Sequence, residues 1–522
     1  MKDLKGAYSS LISLENLKGL SNETALARIG QLTDLSLDLQ KIDGLEHAIK
    51  LSKELQKRRL SSGQKATLHY FLANGWANLR VLSLSEKDQW DWEQEEIEQE
   101  IINLRKALRE KGLQKLPVHR TCQILTNMGN ILDQVGRFVE AIEYWERALK
   151  RLPSFAMARG NKGICLITYA SVLYDQGHRS IFLKYAHSDL KEAISSSELH
   201  EGARKEFDRK LVWIESILSP EFIEKDLDLR RFSLGASDQE IRYRQWCLDN
   251  HLFLNPLNDL GSYPIAARDV FTTPSIAVKI GEGPYYLGYF NQMKQEFVSA
   301  RYLYYEGISS KQSHFSDRDV LLFNTLDCPA YSLAVEKVKS AFRIAYSLFD
   351  KVAYFLNHYL NLSIDEYRVY FNSLWYTNQK KNEGLKSDFQ HRKNLPLRGL
   401  FWLSKDLYEP SFREVIEPDA QAIYEIRNNL EHKYFKLHGS AWKRPTKVSR
   451  DASSGLEDTL AFSLYRQEFE AKTLKLLRLV RAALIYLSLA INCEEYERSR
   501  KRDPGAILPG LQLGILKDER KF

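Results

Sequence analysis

Apolar residues recur along most of this chain at intervals of three and four, the rhythm of helices that bury one face. In the run Ala330–Leu360 it is carried by Val335, Val338, Phe342, Tyr346, Phe349, Val352 and Leu356. Comparable runs occupy Tyr285–Glu306, Pro418–Leu437 and Leu460–Asn492, with a shorter one at Ile241–Phe253. The two-residue alternation of a half-buried strand is scarce throughout. The pattern predicts an all-α chain: helices across the N-terminal region up to residue 220, then a C-terminal helical bundle. Pro- and Gly-rich loops up to Pro284 form the entrance to that bundle.

Within the N-terminal part the pattern repeats. A 34-residue unit runs from Cys122 to Phe155 and carries Gly129, Ala141, Trp145, Ala148 and Pro153. Small residues there would let two helices approach, the Trp would plug the pair and the Pro would end it. That spacing resembles the tetratricopeptide repeat. Gly163 follows Gly129 by 34 residues and opens the next unit, although the loop around Tyr174–Arg179 looks long for the pattern. Upstream, Leu68–Leu79 reads as the first helix of another pair. Its partner, Glu98–Arg109, is delayed by an acidic insert, Glu86–Glu100, with eight carboxylates and one Lys. The insert reads as a solvated loop, and the array as a docking surface for a protein or peptide.

Composition narrows the function classes. A chain of 522 residues, 44% hydrophobic and 27% charged, has the balance of soluble globular proteins and room for two or three domains. The segment Met1–Asn16 lacks the apolar run of a signal peptide, and Ala482–Ile491, the longest apolar stretch, is far too short to cross a bilayer. Five scattered cysteines without a CxxC pair argue against a disulfide scaffold or zinc site and favour a reducing cytoplasm. The net charge of +7 is uneven. Residues 1–239 hold 35 basic and 34 acidic groups; residues 240–522 hold 40 and 34. The excess in the second half is a modest bias toward an anionic partner.

The candidate chemistry lies in Arg427-Asn428-Asn429-Leu430-Glu431-His432. A His can move the proton of a ribose 2′-hydroxyl, and an Arg can hold a phosphate whose charge grows in the transition state. Two Arg–His pairs in the chain have four to six intervening residues, this one and Arg244/His251. In the second, Trp246, Cys247 and Leu248 read as packing residues and His251 as a capping or core histidine. In the first, Pro418 and Asp419 open a helix well. On that helix Asn428 and His432 are about 40° apart and share a face, whereas Arg427 and His432 are about 140° apart. Arg427 and His432 would converge through the reach of the Arg side chain, or across two copies of the helix in a dimer. On spacing alone the residues also fit a charged surface, with Arg427–Glu431 an i,i+4 ion pair and His432 a bystander.

Beyond the motif, Lys433–Arg450 holds six basic residues, no acid, and Tyr434, Phe435 and Trp442. Cations for phosphate and rings for unpaired bases are the chemistry of single-stranded RNA binding, with Lys433, Lys436, Trp442, Lys443 and Arg444 as contacts. A solvated loop with core-facing rings fits equally well. His438 is a candidate second acid/base group. The tyrosine-rich stretch 285–305 puts Tyr286, Phe290, Phe297 and Tyr304 on one face and reads as core, and Arg498–Arg502 reads as a solvated basic tail. No phosphate-cradling Gly loop, HExxH or nucleophile elbow occurs, so neither a cofactor nor a metal is implied.

The segment Arg427–His432 in a helical C-terminal region resembles the Arg-polar-(three to five residues)-His motif of the HEPN superfamily, over roughly residues 240–495. The resemblance implies a helical bundle, commonly dimeric, and a metal-independent endoribonuclease of bacterial toxin or antiviral systems. Arg427, Asn428 and His432 would be its site residues. The expected organisation is a repeat domain at 1–226, a linker at 227–239, an irregular extension at 240–329, the bundle at 330–495 and a tail at 496–522. The partners implied are RNA, a second copy through the bundle, and a protein or peptide on the repeats, with no membrane. The rival reading is a non-catalytic scaffold that binds RNA or nucleotide.

Overall fold

The computed structural model describes residues 2–85, 90–109, 111, 113–279, 281–390, 392–409, 412, 419–439, 442, 458, 460–503, 510 and 512–521. The N-terminal region is built from helices α1 (Lys2–Ile12), α2 (Asn22–Asp38), α3 (Ile42–Leu55), α4 (Ser62–Ser83) and α5 (Glu95–Arg109). It continues through α6 (Val118–Gln134), α7 (Phe138–Arg151), α8 (Ala156–Val172), α9 (Gln176–Ile194) and α10 (Glu201–Glu215), each packed on the one before. Gly129 of α6 lies directly under Trp145 of α7, where an added Cβ would stand 2.7 Å from the indole, and Trp145 is buried. The small-residue and aromatic spacing therefore does the packing it implied. The expected long loop near Tyr174 is instead short. Only residues 173–175 separate α8 from α9, because Asp175 caps the N-H of His178 and starts the helix at once.

After the short α11 (Pro220–Glu224), residues 225–237 form neither helix nor strand, and α12 (Asp238–Asp249) follows. The C-terminal bundle comprises α13 (Tyr285–Ser309), α14 (Leu333–Tyr359), α15 (Leu395–Tyr408), α16 (Asp419–His432) and α17 (Arg466–Arg500). Strands are few. Strands β1 (Tyr376–Asn378) and β2 (Glu383–Leu385) pair antiparallel, while β3 (Phe435–His438) and β4 (Phe462–Tyr465) pair parallel, Phe435 opposite Phe462. This corrects two boundaries. The run Pro418–Leu437 divides into helix and strand at His432, and the last long helix starts at Arg466 rather than Leu460. Helix α17 also extends to Arg500, and Arg498 and Arg502 both pair with Glu495, so the start of the basic tail is structured. On α13 the apolar face falls as expected, with Phe290, Phe297 and Tyr304 buried and Tyr286 half-buried.

From α4 onward repeats and bundle share one continuous hydrophobic core, while α1, α2, α3 and part of α4 pack around a smaller core of their own. The acidic insert is the largest departure from expectation. Trp92 is 1% exposed, packed on Trp375, Phe389 and Phe401, with its indole N-H donating to the carbonyl of Arg392 at 3.1 Å. Around it the Arg398 guanidinium donates to the Asp91 carbonyl, and the Lys405 ammonium is held by Glu98. Helix α15, buried along nearly its whole length, is the strut between the two halves. Asp406 near its end accepts from Arg105 of α5 and from Arg137, the residue just before α7. At its start the backbone of Gly399 touches the turn at Gly136, which has φ +88° and no room for a Cβ. No helix among the described residues is long and apolar enough to cross a membrane. All five cysteines are free.

Candidate functional site

Helix α16 buries Ile423, Ile426 and Leu430, a spacing of three and four that sets its inner face against the bundle. Arg427 and Asn428, beside that stripe, are half-buried, and His432 in the last turn is exposed. The Arg427 guanidinium carbon lies 5.7 Å from the centre of the Tyr346 ring on α14, a cation–π distance. It donates to Asn428 Oδ1 at 3.1 Å. The alternative i,i+4 pair with Glu431 does not form. Glu431 is taken by Arg343 of α14 at 3.1 Å, and Arg343 also donates to the Leu430 carbonyl, which pins the end of α16 to the bundle.

Two acidic or acid-capable groups lie close to Arg427. Burial raises the Asp350 carboxyl above its ordinary range, while the N-H of Phe371, 3.0 Å away, and the charge of Arg427 pull it back. Burial likewise drives the Tyr408 phenol well up, and Tyr346 and Asp350 reinforce the shift against Arg427. Tyr408 is the last residue of α15, so the strut that meets the repeats ends at this cluster. Tyr346 and Asp350 are one turn apart on α14, in a run that reads as ordinary apolar packing, so nothing in their spacing points to a tie with Arg427.

His432 has no hydrogen bond or ion pair with any described residue. The chain brings Arg427 and Asn428 together and leaves the imidazole exposed in the last turn of α16. The rival pair is not a site. Arg244 pairs with Glu240, while His251, with φ +52° just past α12, has its Nδ1 2.7 Å from the Asn258 carbonyl.

The expected RNA-contact set divides. Lys433 is exposed. Lys436 is 2% exposed and clamped by Asp327 and Asp458, both at 2.7 Å, which hold its ammonium in the charged form. It is a buried structural cation, not a phosphate contact. Trp442 stacks on His438 at 4.1 Å, and its carbonyl accepts from Tyr465, so its ring is partly used within the chain. Lys443 and Arg444 lie outside the described residues. His438 is not a second acid/base group. It is 1% exposed, its Nδ1 lies 2.9 Å from the Asp327 carbonyl and its Nε2 3.1 Å from Ser463 Oγ. Burial lowers its pKa, with Asp327 opposing. Among the described residues no group of three or more His, Cys, Asp or Glu converges as a metal site.

No curated protein and no solved structure matches this chain. Residues 277–494, from just before α13 to near the end of α17, match the family model described as LA2681-like HEPN, so the C-terminal region that carries Arg427, Asn428 and His432 is similar to HEPN domains of that kind.

Proposed function

We propose that this protein is an endoribonuclease that needs no metal. One observation carries the reading: Arg427 and Asn428 are in contact, with no carboxylate ion pair among the described residues, one turn before an exposed His432 that engages none of them, inside the region similar to HEPN domains. His432 takes the proton from a ribose 2′-hydroxyl, and O2′ attacks the adjacent phosphorus. The P–O5′ bond breaks, and a proton delivered to O5′ completes a 2′,3′-cyclic phosphate and a 5′-hydroxyl. Arg427 offsets the charge of the pentavalent phosphorane, and Asn428 orients the guanidinium. The test is product chemistry. Cleaved RNA should carry cyclic phosphate and 5′-hydroxyl ends, and 5′-phosphate ends would overturn the mechanism.

A toxin or antiviral setting, with the repeats responding to a trigger or partner, fits the arrangement of a helical array fused to a HEPN-like region. The buried contacts through Trp92 and Asp406 favour a version in which the repeats form a wall of the nuclease rather than a tethered sensor. The alternative, an RNA- or nucleotide-binding scaffold without catalysis, draws on the separation of His432 from Arg427 within one chain. It predicts RNA binding with no cleavage under any condition.

A further inference from the structure

Past the end of α14 the chain reverses at Asn361 and Ser363, with φ +53° and +56°, and returns along the helix it has just left. Three ties fix the return. Asn357 exchanges two hydrogen bonds with the backbone of Ile364, at 2.9 and 3.2 Å. The Tyr354 hydroxyl donates to Glu366 at 3.2 Å, and the Phe371 N-H donates to Asp350 at 3.0 Å. Asn357, Tyr354 and Asp350 are spaced by three and four, so the segment runs back along one face of α14. The next position on that face is Tyr346, whose ring lies beneath Arg427. Phe371 reaches the same floor. Its ring lies 6.5 Å from that of Tyr408, which lies 6.3 Å from that of Tyr346.

The segment is firmly held, yet it turns two rings to solvent. Val369 and Phe371 are buried, whereas Tyr367 is 90% exposed and Tyr370 52%. The exposed Arg368 between them pairs with no described residue. The two acids alongside are engaged: Asp365 accepts from the Tyr367 N-H at 3.0 Å, and Glu366 from Tyr354. No aliphatic side chain is exposed from 361 to 370, so the ledge lacks the apolar centre of a protein interface. Rings for stacking and a cation for phosphate suit unpaired bases instead. They stand about one turn of α14 from the ring beneath Arg427.

We propose that Tyr367, Arg368 and Tyr370 form a ledge on which the bases flanking the scissile phosphate stack, which makes the substrate single-stranded RNA. A duplex keeps its bases stacked within itself and offers the ledge only its backbone. The proposal rests on reading Arg427 as the group that holds the phosphate during cleavage, and the test keeps the two apart.

Binding is read by fluorescence anisotropy on the full chain in EDTA, with His432→Ala in every sample so that the strand stays whole. The probes are a labelled single-stranded RNA, the same strand in a duplex, and an abasic strand of equal length. The single strand should bind more tightly than the duplex. Tyr367→Ala and Tyr370→Ala should each weaken single-strand binding by about 5- to 150-fold and leave abasic binding and the melting temperature alone. Tyr367→Phe and Tyr370→Phe should bind like the parent, because the ring and not the hydroxyl stacks. Arg368→Ala should lower the salt slope by about 0.7. Single-strand binding indifferent to both alanines, an equal loss on the abasic strand, or a duplex bound as tightly overturns the proposal. Cleavage is read separately with His432 in place, where the two alanine variants should raise KM and spare kcat. Ring-dependent binding by a chain that cuts no RNA would overturn the cleavage reading and leave the ledge, whereas cleavage indifferent to both tyrosines would do the reverse.

Discussion

Asp406 of α15 receives both terminal nitrogens of Arg105 from α5, with Arg105 Nη2 2.8 Å from Oδ2, and accepts from Arg137, the N-cap residue of α7, on the same carboxylate. All three groups are buried, and Arg137 passes the contact on to Glu140, which accepts from Tyr486 of α17. Repeats and bundle are thus joined through a desolvated ionic cluster that neither half could keep alone. Removing one partner of such a cluster strands the others. Asp406→Ala should lower stability by about 3–5 kcal/mol. The wild type should unfold in one cooperative transition and the variant at lower denaturant, with the transition splitting. A variant as stable as wild type would show the halves to be independent.

The same residue sets a pH dependence. Burial alone would raise the Asp406 carboxyl, but Arg105 and Arg137 more than offset it and hold it far below the usual range. A depressed carboxylate contributes stability that is present above the unfolded pKa of about 3.9 and lost as pH falls toward its folded value. Stability should therefore drop as the solution is acidified below about pH 4. Asp406→Asn should be weaker at neutral pH, with a flatter acid limb.

Trp92 tests the insert. Trp92→Ala empties a pocket lined by Trp375, Phe389 and Phe401 and should cost about 3–5 kcal/mol. Substituting the exposed Glu95 in the same insert by Gln should change stability by less than about 0.5 kcal/mol. Chemical denaturation of the two variants side by side checks this.

Lys436 and Lys433 should separate structure from RNA contact. Lys436→Ala leaves Asp327 and Asp458 without their shared cation and should cost about 1–3 kcal/mol. Lys433→Ala should leave stability alone and weaken RNA binding, with the salt slope reduced by about 0.7–0.9. The reverse pattern would return Lys436 to the RNA surface.

How much of this was legible in the sequence follows from the range of the interactions. The helices were readable because their apolar stripes are local, and Gly129 against Trp145 was readable as one spacing. The role of Trp92 was not. Eight carboxylates around two indoles look solvated, and the rings that receive Trp92 lie some 300 residues away in sequence. Strand β3 was hidden because four residues carry too little periodicity, and its partner is separated by a long connection. Arg427 and His432 were visible as a motif, but the Tyr346 ring beneath the guanidinium and the capture of Glu431 by Arg343 depend on α14.

The central claim, metal-free cleavage by Arg427 and His432, is tested most directly by incubating the full chain and two variants with single-stranded RNA in EDTA. The wild type should cleave, Arg427→Ala should be slower by about 10²–10³-fold and His432→Ala by about 10²–10⁴-fold, all three with the same melting temperature. Cleavage by His432→Ala at the wild-type rate, or a wild type that cuts only when Mg²⁺ is supplied, would contradict the account.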